Sequence, residues 1–209
     1  MPAVLSSPAS GPALNFAPEL LLRAQGVKVA FFDVDGVLTD GGLYFSEYPE
    51  YPDGHERALT QGGVRSAGET IKRFNTLDGH GLKLLQQAGI TPAVITGRDS
   101  AVLRARLQAL GIVHAQFGTE DKRPAAEQIL QTLGLDWSAA AAMGDDWPDL
   151  PMMTCAALSC APANAHPEVR ARAAYVTQAS GGHGAAREWC DLLLIASGRY
   201  AALLAGYTQ

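Results

Sequence analysis

At residues 27–34 the chain reads VKVAFFDV and then enters a turn at Gly36. A short, nearly continuous apolar run that ends on acidic residues and glycine suits a strand covered on both faces. Such strands belong to parallel sheets flanked by helices. The motif recurs. GITPAVIT (89–96), GIVHAQF (111–117), SAAAAMG (138–144), CAALSCA (155–161) and AAYVT (173–177) all read as short buried strands. Between them, 99–110 places Val102, Leu103, Leu107 and Leu110 on one helical face, and 121–133 reads as a helix with Pro124 in its first turn and Gly134 just beyond its end. One long amphipathic helix is expected over 184–205. Strands alternating with helices predict an α/β class with a mostly parallel, doubly wound sheet.

The size and composition fit one such unit. A chain of 209 residues buries roughly 70% of its unfolded surface. An apolar fraction of 47% against 18% charged residues excludes a disordered chain. The formal charge of −5 gives no general attraction to nucleic acid, and no apolar run approaches the about 18 residues of a membrane span. Cys155, Cys160 and Cys190 form no paired motif, which suits reduced thiols in a cytoplasmic protein. The opening residues lack the basic and apolar regions of a secretory signal and are expected to form a loose arm over 1–17. A single domain is expected over 18–209.

Residues 41–77 break the rhythm. GGLYFSE and ETIKRFNTL alternate as half-exposed strands do, and the Gly- and Pro-containing stretch 48–68 between them shows no regular pattern. The expectation is a β-hairpin flap with a long mobile tip, followed by a helix over 78–88.

Chemistry concentrates where the predicted strands end. Asp33 and Asp35 follow the first strand, Thr96-Gly97-Arg98 the second, and Asp145, Asp146 and Asp149 the strand at 138–144, while Lys122 opens a helix. In open α/β sheets ligands bind beyond these strand ends. Several carboxylates brought together oppose one another's ionisation, and a hard cation such as Mg²⁺ with oxygen ligands relieves this. The five histidines, His55, His80, His114, His166 and His183, show no metal-ligand spacing and are read as structural, with His80 closest to the candidate pocket.

DVDGVLTD (33–40), ITGR (95–98), Lys122 and GDDWPDL (144–150) resemble, in order and spacing, the four motifs of the haloacid dehalogenase-like phosphohydrolases. FNTLDGHG (74–81), AHP (165–167), YVT (175–177) and GGHGAAREWCDLLL (181–194) are similar to the subgroup that dephosphorylates an eight-carbon sugar acid, 3-deoxy-D-manno-octulosonate 8-phosphate. The resemblance runs from about residue 27 to 198. It implies that Asp33 is the nucleophile and Asp35 the acid–base group. It implies that Mg²⁺ is held by Asp33, Asp35 (through its backbone) and Asp145, with Thr96 and Lys122 on the phosphoryl oxygens. Asp146 and Asp149 take supporting roles. Asn75, Thr76, Leu77, Asp78, Gly79, Lys83, Gly97, Arg98 and Arg106 fall at substrate-contacting positions.

Leu77 stands where the family commonly has a basic residue, and Lys83 replaces an arginine. A nine-carbon sugar acid 9-phosphate therefore stays open as the substrate. A phosphoacceptor signalling domain and an inert interaction subunit are remoter readings, disfavoured by Asp35 and the intact acidic motifs. No segment is long enough for a separate cap domain. The apolar residues Leu43, Tyr44, Phe45, Ile71 and Phe74 of the flap suggest an interface, and the resemblance implies a homotetramer in which a neighbour covers each site.

Overall fold

The computed structural model describes residues 14–45 and 69–208. The predicted tip at 48–68 and all but the last four residues of the predicted N-terminal arm lie outside these. Helix α1 (Pro18–Ala24) leads into β1 (Val29–Phe32), and β2 (Tyr44–Phe45) pairs antiparallel with β3 (Glu69–Ile71) as the root of a hairpin. Then follow α2 (Thr76–Gln87), β4 (Thr91–Ile95), α3 (Ala101–Leu110), β5 (His114–Gln116) and α4 (Lys122–Leu133). The remaining elements are β6 (Ala140–Met143), α5 (Leu150–Cys155), β7 (Leu158–Ala161), α6 (Pro167–Arg170), β8 (Tyr175–Val176), α7 (Ala185–Ala196) and α8 (Tyr200–Ala205). Short 3₁₀ turns precede β6 and α5.

Six strands form one sheet in the order β5-β4-β1-β6-β7-β8, every neighbouring pair parallel. From β1 the chain winds outward through β4 and β5. It then returns to the other side of β1 for β6, β7 and β8. The reversal leaves a crevice beyond the C-terminal ends of β1, β4 and β6, the place where open α/β sheets bind ligands.

Alternation along β1 sends side chains into two separate cores. Ala30 and Phe32 join Leu103 and Leu107 of α3 and Trp189 and Leu193 of α7, while Val29 and Phe31 join Ile129 and Leu130 of α4 and Met152 of α5. Helices therefore cover both faces, which explains why β1 shows no polar alternation. Strand β6 does the same with alanines. Ala140, Ala141 and Ala142 are wholly buried between β1 and β7.

Local chemistry shifts several element boundaries from those expected. The alternation of ETIKRFNTL does not run as one strand. It stops at Ile71, because the Asn75 side chain accepts a hydrogen bond from the Leu77 amide at 2.8 Å and starts α2 there. The strand expected from Cys155 begins only at Leu158, since Cys155 still closes α5. The helix expected over 184–205 is two helices. Gly198 at φ +71° lets the Arg199 amide reach back to the Leu194 carbonyl, which ends α7.

Glycines also let backbones meet beneath the crevice. A Cβ on Gly181 would lie 1.7 Å from the Gly36 carbonyl oxygen, and the Gly182 amide donates to the Val37 carbonyl at 3.0 Å. The 181–184 segment thus props the loop that carries Asp33 and Asp35. Because the obstacle is backbone, it cannot swing aside. Gly181→Ala is expected to lower stability in urea unfolding by about 2–3 kcal/mol. Gly26→Ala, with nothing within 4 Å of the added carbon, should stay within about 0.5 kcal/mol of the parent.

Candidate active site

Asp33 follows β1 directly, and its amide extends the ladder to the Met143 carbonyl at 3.1 Å. Its carboxylate is buried. Lys122, on the first turn of α4, reaches under it and places Nζ 2.6 Å from Asp33 Oδ1 and 2.6 Å from Asp149 Oδ1. The other oxygen of Asp149 accepts the amides of Asp145 and Asp146 at 2.9 and 3.1 Å. Asp149 therefore fixes both the lysine and the loop after β6. Asp146 is turned outward and caps the 3₁₀ turn through the Trp147 amide at 2.8 Å.

One lysine faces three crowded acids. Asp33, Asp145 and Asp149 each bring a carboxylate oxygen within 4.8 Å of the others. Burial, followed by the charge of Asp149, pushes Asp33 up to about 7 against the pull of Lys122. Burial, then Asp33 and Asp149, pushes Asp145 up to about 8. Burial works to lower Lys122, but the two aspartates outweigh it and hold the ammonium above its usual value. Asp145 Oδ1 is buried with no hydrogen-bond partner. Gly36, at φ +92°, leaves the space in which a Cβ would sit 2.1 Å from Asp145 Oδ2. Hard oxygen donors, an orphaned carboxylate oxygen and uncompensated negative charge fit a divalent cation such as Mg²⁺. Both oxygens of Asp149 are already engaged, so Asp33 and Asp145 are the carboxylates with capacity left for it.

Asp35 points to the more open side. Its Oδ1 accepts from Lys72 Nζ and, at 3.5 Å, from the Thr39 hydroxyl, and Arg98 Nε lies 3.6 Å from Oδ2. Lys72 lies outside the motifs that mark the other site residues. Alternation in β3 would turn the apolar Ile71 inward, yet Ile71 is 59% exposed and Lys72 only 9%. Thr96, buried at the end of β4, accepts the Arg98 amide at its hydroxyl oxygen at 3.2 Å, so its O–H points elsewhere as a donor. Gly97 and Arg98 are exposed on the loop that follows.

The other residues expected to contact substrate divide into two groups. Thr76, Leu77 and Lys83 are exposed on α2. Arg106 of α3 packs inward, its Nη2 3.4 Å from the Asn75 carbonyl and 2.2 Å from where a Cβ on Gly79 would be. Asn75 caps α2 and sits 3.5 Å from the Gly182 carbonyl. Asp78 is buried, and its carboxylate accepts the amides of Arg187 at 2.8 Å and Gly184 at 3.3 Å. The structure thus gives Asp78 to the start of α7 and not to the crevice. Asn75, Asp78 and Gly79 join α2 to the glycine segment and to Arg106, and so support the site from behind.

A doubly wound sheet with an aspartate at the switch point, a lysine beneath it and acids after β6 defines a haloacid dehalogenase-like hydrolase. The model of that family matches residues 112–188. The 3-deoxy-D-manno-octulosonate 8-phosphate phosphatase of Salmonella typhimurium is 37% identical over 183 residues, 88% of this chain and 87% of that protein. A probable phosphatase from Pseudomonas syringae superimposes with a TM-score of 0.81 at 42% identity, covering 92% of this chain and 99% of the other. The Moraxella catarrhalis 3-deoxy-D-manno-octulosonate 8-phosphate phosphatase, crystallised with magnesium, phosphate and the sugar acid, gives 0.79 at 35% identity over 90% and 98%. The chain belongs to this 3-deoxy-D-manno-octulosonate 8-phosphate phosphatase family.

The raised carboxyls make the metal site testable. Without a cation, the folded chain holds more protons on Asp33 and Asp145 than the unfolded chain does, between the ordinary value of 3.8 and about 7 to 8. Their contribution to stability therefore falls as pH rises through that window. A bound cation replaces those protons. Mg²⁺ is expected to raise the melting temperature more at pH 8 than at pH 6 in scanning fluorimetry. Equal shifts at both pH values would count against Asp33 and Asp145 as the ligands.

Proposed function

We propose that the chain is a Mg²⁺-dependent phosphatase that hydrolyses 3-deoxy-D-manno-octulosonate 8-phosphate in lipopolysaccharide precursor synthesis. The observation that carries the reaction type is the buried row Asp33–Lys122–Asp149 beside Asp145. The family supplies the substrate.

In the first step an Asp33 carboxylate oxygen attacks phosphorus. The bond from phosphorus to the sugar oxygen breaks, and that oxygen takes its electron pair and a proton from the Asp35 carboxyl. In the second step water attacks the phosphorus of the aspartyl phosphate and gives its proton to Asp35. The bond to Asp33 breaks and the electron pair returns to the carboxylate, releasing inorganic phosphate. Lys122 and the Thr96 hydroxyl hold the phosphoryl oxygens while charge moves across them. Mg²⁺, held by Asp33, Asp145 and the backbone carbonyl of Asp35, supplies the positive charge that lets an anionic nucleophile approach an anionic phosphate. Arg98 stands at the exposed mouth, where it can meet the sugar carboxylate.

Leu43, Tyr44 and Ile71 expose apolar surface at the hairpin root, and the partly exposed Asp35 faces that side of the crevice through its contact with Lys72. This supports a homotetramer in which a neighbour's hairpin covers each site and excludes water. Three unpaired cysteines, Cys155, Cys160 and Cys190, suit a reducing cytoplasm.

Three experiments test these readings. Phosphate release from a panel of sugar phosphates with Mg²⁺ should favour the eight-carbon sugar acid. Preference for a nine-carbon acid would move the assignment to that substrate, for which the exposed Leu77 and Lys83 leave room. Asp33→Asn should abolish turnover with folding intact, because an amide does not form the acyl phosphate, and retention of near-parental activity would refute the mechanism. In light scattering the protein should run as a tetramer. A fully active monomer would refute the shared cover.

A further inference from the structure

Lys72 lies at the foot of the hairpin, outside every strand end and helix start that carries the other reacting groups. It is 9% exposed, and its Nζ donates to Asp35 Oδ1. The next residue, Arg73, faces the other way. Its Nη1 lies 3.4 Å from Asp40 Oδ2 and 2.9 Å from His183 Nε2. Consecutive residues of one strand end thus grip two carboxylates at opposite ends of the 33–40 loop. Arg73 ties the hairpin to the outer end of that loop and to the glycine segment. Lys72 reaches the inner end, where Asp35 stands.

We propose that Lys72 is a positioning residue that holds the Asp35 carboxyl group in the orientation needed to meet the leaving-group oxygen, so that the hairpin root belongs to the proton-transfer machinery. The inference rests on the phosphatase reading above. Among the described residues, three groups share the two oxygens of Asp35. Thr39 is a weak partner at 3.5 Å, and Arg98 lies 3.6 Å away on an exposed loop. Of the three, Lys72 alone combines a direct hydrogen bond with burial, and a side chain fixed at both ends is what sets a rotamer. A proton donor misplaced by an ångström loses most of its effect, because transfer requires hydrogen-bond reach in the transition state. Asp33, Asp145, Lys122 and Thr96 do not touch Lys72 among the described contacts. Its loss should therefore damage protonation of the leaving group while sparing attack on phosphorus.

Leaving-group dependence separates these two effects. A sugar alkoxide needs a proton to depart, whereas 4-nitrophenolate leaves without one. The value of kcat/KM covers the steps up to departure of that group for both substrates. Lys72→Met keeps the buried stem and removes the ammonium. It is expected to lower kcat/KM for 3-deoxy-D-manno-octulosonate 8-phosphate by about 10–100-fold and for 4-nitrophenyl phosphate by less than about threefold, with KM for the sugar phosphate little changed. Arg73→Ala loosens the same hairpin without touching Asp35 and should leave the ratio of the two losses near one. Equal losses on both substrates in Lys72→Met, or a raised KM with kcat preserved, would overturn the proposal in favour of a general structural or a substrate-binding role. If Lys72→Met does not fold by circular dichroism, Lys72→Gln, which also removes the charge, carries the same comparison, and failure of both to fold assigns the lysine to stability and overturns the proposal. A parent protein that turns over neither substrate refutes the phosphatase reading itself, an outcome distinct from all of these.

Discussion

Three carboxylates share one ammonium at the centre of this molecule. Asp33, Asp145 and Asp149 converge within 4.8 Å, and Lys122 makes contacts of 2.6 Å to two of them. In water such a cluster is unremarkable. Buried, it leaves Asp33 and Asp145 with carboxyls raised toward neutrality because desolvation penalises charge that nothing nearby cancels. The same deficit that makes the apo site reluctant to ionise makes it ready for a divalent cation. Once the cation binds, the lysine, the cation and the nearby Arg98 reverse the local sign. A chain of net charge −5 thereby gains a place where an anionic phosphate ester is welcome.

The sheet exists to hold that cluster together against its own repulsion. Asp33 continues the ladder of β1 and Asp145 follows β6, two adjacent strands whose parallel pairing runs through Phe32 and Met143. Lys122 arrives from α4, anchored by Ala126, Ile129 and Leu130 in the core beneath β1 and β6. Asp33 and Asp145 are thus the first residue or two beyond a fully buried apolar strand, and Lys122 is the first residue of a helix packed against both strands. Slippage of a strand would move every one of its side chains to the other face, so the hydrophobic register of β1 and β6 fixes the separation of Asp33 and Asp145.

The strands and the convergence of Asp33, Lys122, Asp145 and Asp149 at one end of the sheet are readable because they depend on local pattern. A buried parallel strand must be apolar, and a crevice at its end must begin with the next few residues. The features that escaped depend on side chains meeting across the sequence. Lys72 sits 37 positions from Asp35, just past a strand whose alternation favours Ile71 as the inward residue. Asp78 looked like part of the pocket because it lies in the same segment as Asn75 and Thr76. Its burial and its bonds to the start of α7, 106 and 109 positions away, come from packing of α2 on α7. The division of the last helix at Gly198 was missed for another reason. The apolar face continues past the break in Leu203, so periodicity alone does not show that the backbone turns.

Reaction and recognition occupy different materials in this fold. The groups that the proposed mechanism places on phosphorus, Asp33, Thr96 and Lys122, are buried at strand and helix ends and owe their positions to the core. Changing them disturbs packing or leaves a charge unpaired. Thr76, Leu77, Lys83, Gly97 and Arg98 are exposed on α2 and on the loop after β4, where substitution costs the core little. Asp35, held between Lys72 and Arg98, stands at the boundary between these two sets. In the proposed mechanism the proton for the sugar oxygen therefore comes from a group whose surroundings reach the exposed side of the crevice. Altering the sugar that is accepted without losing its protonation requires the contacts of Asp35 to survive changes in its neighbours. A lysine anchored in the hairpin root, away from the exposed residues of α2, meets that requirement in a way that Arg98, which is exposed at the mouth, does not.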